Sequence, residues 1–232
     1  GERAVARLGA EKLSSQKAAV IFDRRVSSGL IGAFISAISG SAIARGTSFL
    51  KDKLGQQVFR SGINLIDEPF LDYGLGSRGF DGEGRAVQDT KIVEDGVLTQ
   101  WLLNGPSARQ LGLKPNGFAS PGFGDPPGIS TSNLTLPAGA ETPEALISAA
   151  GKALQITEMF GPSINPNTGD YSVGVSGFWH DGEGNRVPVS EITVADNLIE
   201  MFARLVPASD LELRGRTNVP SLMIEGMTIA GR

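Results

Sequence analysis

Tyr171-Ser-Val-Gly-Val-Ser-Gly-Phe-Trp179 and Val187-Pro-Val-Ser-Glu-Ile-Thr-Val194 lie on either side of Asp181-Gly-Glu-Gly184. Both runs are rich in valine and aromatic residues, which suit a pleated, half-buried surface, so each reads as a strand and the segment between them as a turn. Strands joined by so short a connection lie antiparallel. The turn sequence also occurs earlier, as Asp81-Gly-Glu-Gly84, again after an aromatic segment and before a valine-containing strand. A duplicated hairpin turn explains the recurrence. Calcium does not, because an EF-hand loop needs a glutamate at its last position, where these two segments carry Ile92 and Ile192.

Working outward, Ile63 to Ile66, Gly79-Phe80, Ala86 to Val93 and Val97 to Leu103 are short apolar runs, and Asp95-Gly96 marks a further hairpin. Ala18 to Asp23, Ser132 to Leu136 and Ser221 to Ile229 also read as strands. Helices are expected over Ser28 to Ala44, Gly105 to Gly112 and Ala195 to Leu205, and from a Thr142 cap to Gly161-Pro162. Strands that follow one another in sequence with helices set apart indicate an α+β fold, mainly antiparallel sheet, curved or barrel-like, with a few flanking helices.

The chain has 232 residues, 31 of them glycine and 13 proline, in keeping with many turns between short strands. Its 21 basic residues against 25 acidic ones give a net charge of −4, and no basic run stands out, so the electrostatic footprint of nucleic-acid binding is missing. There is no cysteine, which excludes a disulfide framework and fits a reducing compartment. No signal peptide is visible, since Glu2 to Lys17 is charged and helix-like; a cytoplasmic location is expected. Val26 to Ala44 is uncharged, but its five serines and three glycines make it a poor membrane span.

Candidate chemistry is sparse. His180 is the single histidine. Its neighbour Asp181 points the other way if the strand continues, and no G-x-S-x-G elbow exposes a serine. Neither a P-loop nor a strand-associated G-x-G-x-x-G is present. Asn116 to Gly128 interleaves glycine and proline with Phe118 and Phe123, so it is neither helix nor central strand. Asn116, Gly117, Phe118, Gly122, Phe123 and Gly124 form the candidate functional loop. In the Ser28 to Ala44 segment, Ile31, Phe34, Ile35, Ile38 and Ala42 fall at helical spacing as a core stripe, and Gly32 and Gly40 are expected to sit under closely packed neighbours.

The segment ending in Arg45-Gly-Thr-Ser-Phe49, with the tail Met223-Ile-Glu-Gly-Met-Thr-Ile-Ala-Gly231, resembles the TldD/PmbA metalloprotease family, once called modulators of DNA gyrase. In the metal-bearing branch of that family a helix before Arg-Gly-Thr-Ser carries H-E-x-x-x-H, and counting back from Arg45 lays those ligands on Ile31, Gly32 and Ser36. None of the three is an imidazole, thiolate or carboxylate, the groups that zinc requires. The further cysteine ligand of that branch is also missing.

The resemblance therefore points to the PmbA/TldE-like branch, with residues 1–232 as its C-terminal domain and an N-terminal α/β domain expected ahead of it. It implies no catalytic and no metal-binding residue in this chain, zinc in a TldD-like partner subunit, and a peptide or unfolded segment as substrate. A stand-alone peptidase using carboxylates and His180, and a homodimeric peptide-binding or structural protein, are the alternatives. Neither a nucleic acid nor a membrane is an expected partner.

Overall fold

The computed structural model of the protein describes residues 1–122 and 124–231. In chain order it forms α1 (Glu2–Val5), β1 (Gln16–Phe22), α2 (Ser28–Ala37), α3 (Gly40–Ala44), β2 (Leu65–Asp67), β3 (Thr90–Glu94), β4 (Val97–Leu98), α4 (Gly105–Leu111), β5 (Ala119–Ser120) and β6 (Gly128–Ile129). It continues with β7 (Leu134–Thr135), α5 (Pro143–Ala150), β8 (Ala153–Ile164), β9 (Asp170–His180), β10 (Arg186–Asn197), α6 (Leu198–Arg204), β11 (Val206–Pro207), β12 (Thr217–Asn218) and β13 (Leu222–Ala230). The chain divides into two compact units, one made of Leu30–Pro137 with Glu212–Asn218 and the other of the remaining residues.

In the latter unit β1, β8, β9, β10 and β13 pair in that order, and β13 returns to β1, closing a five-stranded barrel with β11 added on β13. The α+β class with a curved, mainly antiparallel sheet is thus present. The exception to antiparallel pairing in the barrel is β1 with β8, where Ala19 to Phe22 match Ala153 to Ile156 in parallel. Closure leaves few free edges, a benefit for strands this apolar. Ala19, Ile21, Ala153 and Met223 meet Leu146 and Ile147 of α5 in one cluster. Strand alternation turns Val20, Phe22, Leu154 and Ile156, each fully buried, to the opposite face and into the barrel. The β9–β10 hairpin runs from His180↔Arg186 to Asp170↔Asn197, interrupted by a bulge at Val189/Ile192 where Glu191 takes φ 54°.

Helix α5 starts as predicted: Thr142 Oγ1 accepts the Ala145 N–H at 3.1 Å and Pro143 occupies the first turn. It does not continue to Gly161. Gly151, at φ 72°, ends it, and β8 follows because Ala153 to Ile156 find a distant partner in β1.

In the other unit the strand order is β12-β7-β2-β3-β4, with β5–β6 as a separate two-stranded ladder. The β3–β4 turn has Asp95 at φ 48° and Gly96 at φ 80°, the pair of positive φ values that a type I′ hairpin demands. Phe34 meets Phe59 edge to face, with centroids 4.9 Å apart, in a core that includes Ile31, Ile38, Leu65, Ile92 and Leu98.

The apolar Ser28 to Ala44 run is two helices rather than one. After α2 the chain leaves helical geometry at Ser39 (ψ 130°), so that Leu102 can donate to Ile38 O at 3.1 Å and accept from Gly40 N–H at 2.8 Å. Two hydrogen bonds to another segment outweigh the continued helix, and Gly40 permits the contact: a Cβ there would lie 2.6 Å from Ser107 Oγ and 2.9 Å from Leu102 O. Among the described residues no helix is long and apolar enough to cross a membrane.

Candidate functional site

Helix α2 presents the segment that the resemblance singles out. Ile31 is fully buried in the core. Gly32 and Ser36 lie one turn apart on the exposed side, and the Ser36 hydroxyl donates to the Gly32 carbonyl at 2.9 Å. The close packing expected at Gly32 is absent, since no heavy atom lies within 4 Å of where its Cβ would be. The reason is orientation: the neighbours that crowd Gly40 come from the Leu102–Ser107 segment, while Gly32 faces outward.

The Arg45-Gly-Thr-Ser48 motif acts as the end of this helical segment. Gly46, at φ 71°, lets the chain reverse, and Thr47 N–H returns to Ala42 O at 3.0 Å. The buried Ser48 hydroxyl donates to Ala37 O at 2.6 Å, satisfying a terminal carbonyl of α2, and accepts from Leu50 N–H at 3.0 Å.

The loop from Asn116 to Gly124 shares the Leu102–Ser107 region as its anchor. Asn116 Oδ1 accepts Leu103 N–H at 2.8 Å, while Nδ2 donates to Gln100 Oε1 at 3.0 Å and to Trp101 O at 2.8 Å. Gly117 has φ 86°, and Phe118 is buried. β5 and β6 pair through Ala119↔Ile129 and Ser120↔Gly128, so the loop is a hairpin whose tip contains Gly122 and Gly124. A Cβ on Gly122 would lie 2.3 Å from Asp125 O, which requires glycine at that turn. Phe123 lies outside the described residues.

Asp81-Gly-Glu-Gly84 holds the base of this hairpin, a role not anticipated from its sequence. Buried Asp81 accepts Glu83 N–H and Arg85 N–H at 2.9 Å each and Ala119 N–H at 3.3 Å. Glu83 accepts Gly105 N–H at 2.8 Å at the start of α4. Asn104 caps α4 through Ser107 N–H at 3.0 Å and donates from Nδ2 to Pro127 O at 2.7 Å. Recurrence of the tetrapeptide was the available signal; its tertiary partners gave none.

Near the same strands, buried Asp67 accepts from both the backbone N–H and the hydroxyl of Ser132 at 2.7 Å. Burial raises its pKa above the usual carboxylate range, against the opposing pull of Ser132, Arg78 and Arg216. Burial likewise lowers the pKa of the Arg78 guanidinium, which donates to Ser130 O at 3.0 Å.

These residues do not fit a zinc site. Ile31 and Gly32 offer no donor atom, Ser36 is bonded to its own helix, and among the described residues no group of three or more His, Cys, Asp or Glu could hold a metal ion. His180 belongs to the barrel unit, where its Nε2 lies 3.4 Å from Gln155 Oε1 and burial lowers its pKa.

The fold of this chain is shared with known proteins. The sequence pattern of the PmbA/TldA metallopeptidase C-terminal domain matches residues 15–231. The chain belongs to that family. It is 38% identical over 231 residues to the metalloprotease PmbA of Escherichia coli O157:H7, covering 99% of this chain and 49% of that protein. A Bacteroides thetaiotaomicron crystal structure, of a protein described as a candidate modulator of DNA gyrase, superposes with a TM-score of 0.89 at 33% identity over 100% of this chain and 51% of its own. TldE from Thermococcus kodakarensis, at 21% identity with a TM-score of 0.82 over 99% of this chain and 55% of its own, shares the fold. The chain thus spans about half the length of the relatives it matches.

Proposed function

We propose that this chain is the C-terminal domain of a metal-free, non-catalytic subunit that assembles with a zinc-bearing TldD-like subunit into a cytoplasmic protease of peptides and unfolded segments. The observation carrying this reading is the chemistry of α2. The helix that precedes Arg45-Gly-Thr-Ser48 presents an apolar side chain, a glycine and a serine bonded to its own backbone at Ile31, Gly32 and Ser36. Peptide hydrolysis by a metalloprotease needs a metal-activated water, and metal ligands of the required kind are not offered there. The N-terminal α/β domain expected from the resemblance completes the subunit.

The anchored hairpin around Asn116–Gly124 then shapes the substrate path rather than reacting. A backbone-rich surface of this type supports binding of extended peptides with little sequence preference. Reconstitution tests the reading: the full-length protein, alone and mixed with a TldD-like subunit, is assayed for cleavage of unstructured peptides, with and without a chelator. Activity only in the mixture, lost on chelation and unaffected by His180→Ala, is the expected result. Cleavage by this protein alone, or its loss in a correctly folded and assembled His180→Ala variant, overturns the assignment and returns the active site to this chain. A homodimer that cleaves nothing and does not bind the partner favours the structural alternative.

A further inference from the structure

The barrel unit contains a cavity of about 320 Å³ whose lining includes four arginines, Arg7, Arg24, Arg25 and Arg186, against the two carboxylates of Glu2 and Asp23. The wall is built from α1, the turn after β1, and the strands β8, β9 and β10, so side chains distant in sequence converge on it. Two of the guanidiniums are neutralised. Arg25 is paired with Asp23 at 2.8 Å, and Arg7 makes a two-pronged contact with Glu158, whose pKa the Arg7 hydrogen bonds hold below the ordinary carboxylate value.

Arg186 is different. Its guanidinium carbon lies 3.5 Å from the centroid of the Phe178 ring, and among the described residues no carboxylate or hydrogen-bond acceptor engages it. An aromatic contact of this kind holds a guanidinium through its face, whereas the N–H donors lie along its edge. Phe178 is itself buried, so the platform is fixed by the sheet. A charged group restrained in this way matches a planar, two-oxygen acceptor better than a mobile lysine would.

We propose that this cavity binds one carboxylate, gripped by the edge of Arg186. A monoanion is favoured over a phosphate dianion because the carboxylates of Glu158, Asp23 and Glu2 stand against the four guanidiniums and leave a single positive charge to be met. The choice of a peptide's terminal carboxylate as the source rests on the peptidase reading above; the carboxylate site itself does not.

Calorimetric titration of the intact protein at low ionic strength tests it with N-acetyl-dialanine as the free acid, the same dipeptide as its C-terminal amide, sodium acetate and inorganic phosphate. The free acid is expected to bind at least about tenfold more tightly than the amide, since only the acid forms a charge-assisted pair. Arg186→Gln should lower affinity by about tenfold with unchanged melting, and Arg186→Lys, which keeps the charge but loses the fork, should fall between. Acetate binding as tightly as the dipeptide acid supports the carboxylate site and assigns it to small acids; weaker acetate binding supports the peptide terminus. Equal affinity for acid and amide, tighter phosphate, full binding by Arg186→Gln, or no binding at millimolar concentrations overturns the proposal. Peptide cleavage is not the readout, so failure here and failure of the peptidase reading are separable.

Discussion

The tetrapeptide Asp-Gly-Glu-Gly is used twice, and the two copies share the bonding of their aspartate and the left-handed second glycine but differ at the first glycine, positive in φ at Gly182 and not at Gly82, and in their surroundings. In each, the aspartate Oδ1 accepts the N–H groups two and four residues later: Glu83 and Arg85 for Asp81, Glu183 and Asn185 for Asp181. The second glycine of each copy has positive φ, 74° at Gly84 and 99° at Gly184. Asp81, however, is buried and reaches across to Ala119, whereas Asp181 turns to its own neighbour Asn185 at 2.6 Å. One turn organises a sheet unit; the other reverses a hairpin. Local sequence sets the aspartate's bonding in such a turn, and its surroundings set how much stability depends on it.

Paired substitutions sharpen that contrast. The largest effect is expected from Asp81→Ala, which strands three buried or half-buried N–H groups and should lower unfolding free energy by about 3 kcal/mol in urea denaturation, with a far smaller loss for Asp181→Ala in its exposed turn. Comparable losses from the two variants would break the comparison. Gly82→Ala should cost about 2 kcal/mol by overpacking, because its Cβ would meet Pro121 N and the Ser120 carbonyl carbon at 2.5 Å. Gly182→Ala meets nothing closer than 3.2 Å, and its positive φ alone should cost about 1 kcal/mol.

A smaller difference is expected at the third position. Glu83→Gln weakens the acceptor at the start of α4 and its contact with Arg85, worth about 0.7 kcal/mol by thermal denaturation. The Glu183 carboxylate has no partner among the described residues, so Glu183→Gln should leave the midpoint unchanged. The effect of acid on the exposed turn should also be small. Hydrogen bonds from Asn185 and Glu183 hold Asp181 below its ordinary pKa of 3.8, so its stabilising contribution is present above that value and lost as pH falls through the depressed one. The amide resonances of Glu183 and Asn185 should shift only in that acid range; a transition above pH 3.8 contradicts the assigned bonds.

What the sequence discloses follows the same division between local and distant causes. Thr142 as a cap and Asp95-Gly96 as a type I′ turn are legible because the residues that determine them are adjacent. Gly151 could have been recognised as a helix stop, but the helix formers around it masked a strand whose partner, β1, lies far away in sequence. The break at Ser39 depends on Leu102 and was equally hidden. At the candidate site the absence of ligand side chains from Ile31, Gly32 and Ser36 could be read directly, whereas the exposure of Gly32 required its tertiary surroundings. The membership of Phe118 in the loop is legible from sequence, whereas its burial there depends on distant neighbours. Arg186 and Phe178 carry no motif at all; they meet only because β9 and β10 are paired.

Barrel closure also sets an order of events on the ribosome. β1 is made well before β13, the strand that completes its antiparallel ladder through pairs from Gln16↔Ile229 to Phe22↔Leu222. Contacts between segments so far apart in sequence form slowly, since a long loop must be closed before they are rewarded. Throughout elongation β1 therefore waits with one side unsatisfied, and translation that stalls before Leu222 leaves an open seam on which a second nascent chain could dock.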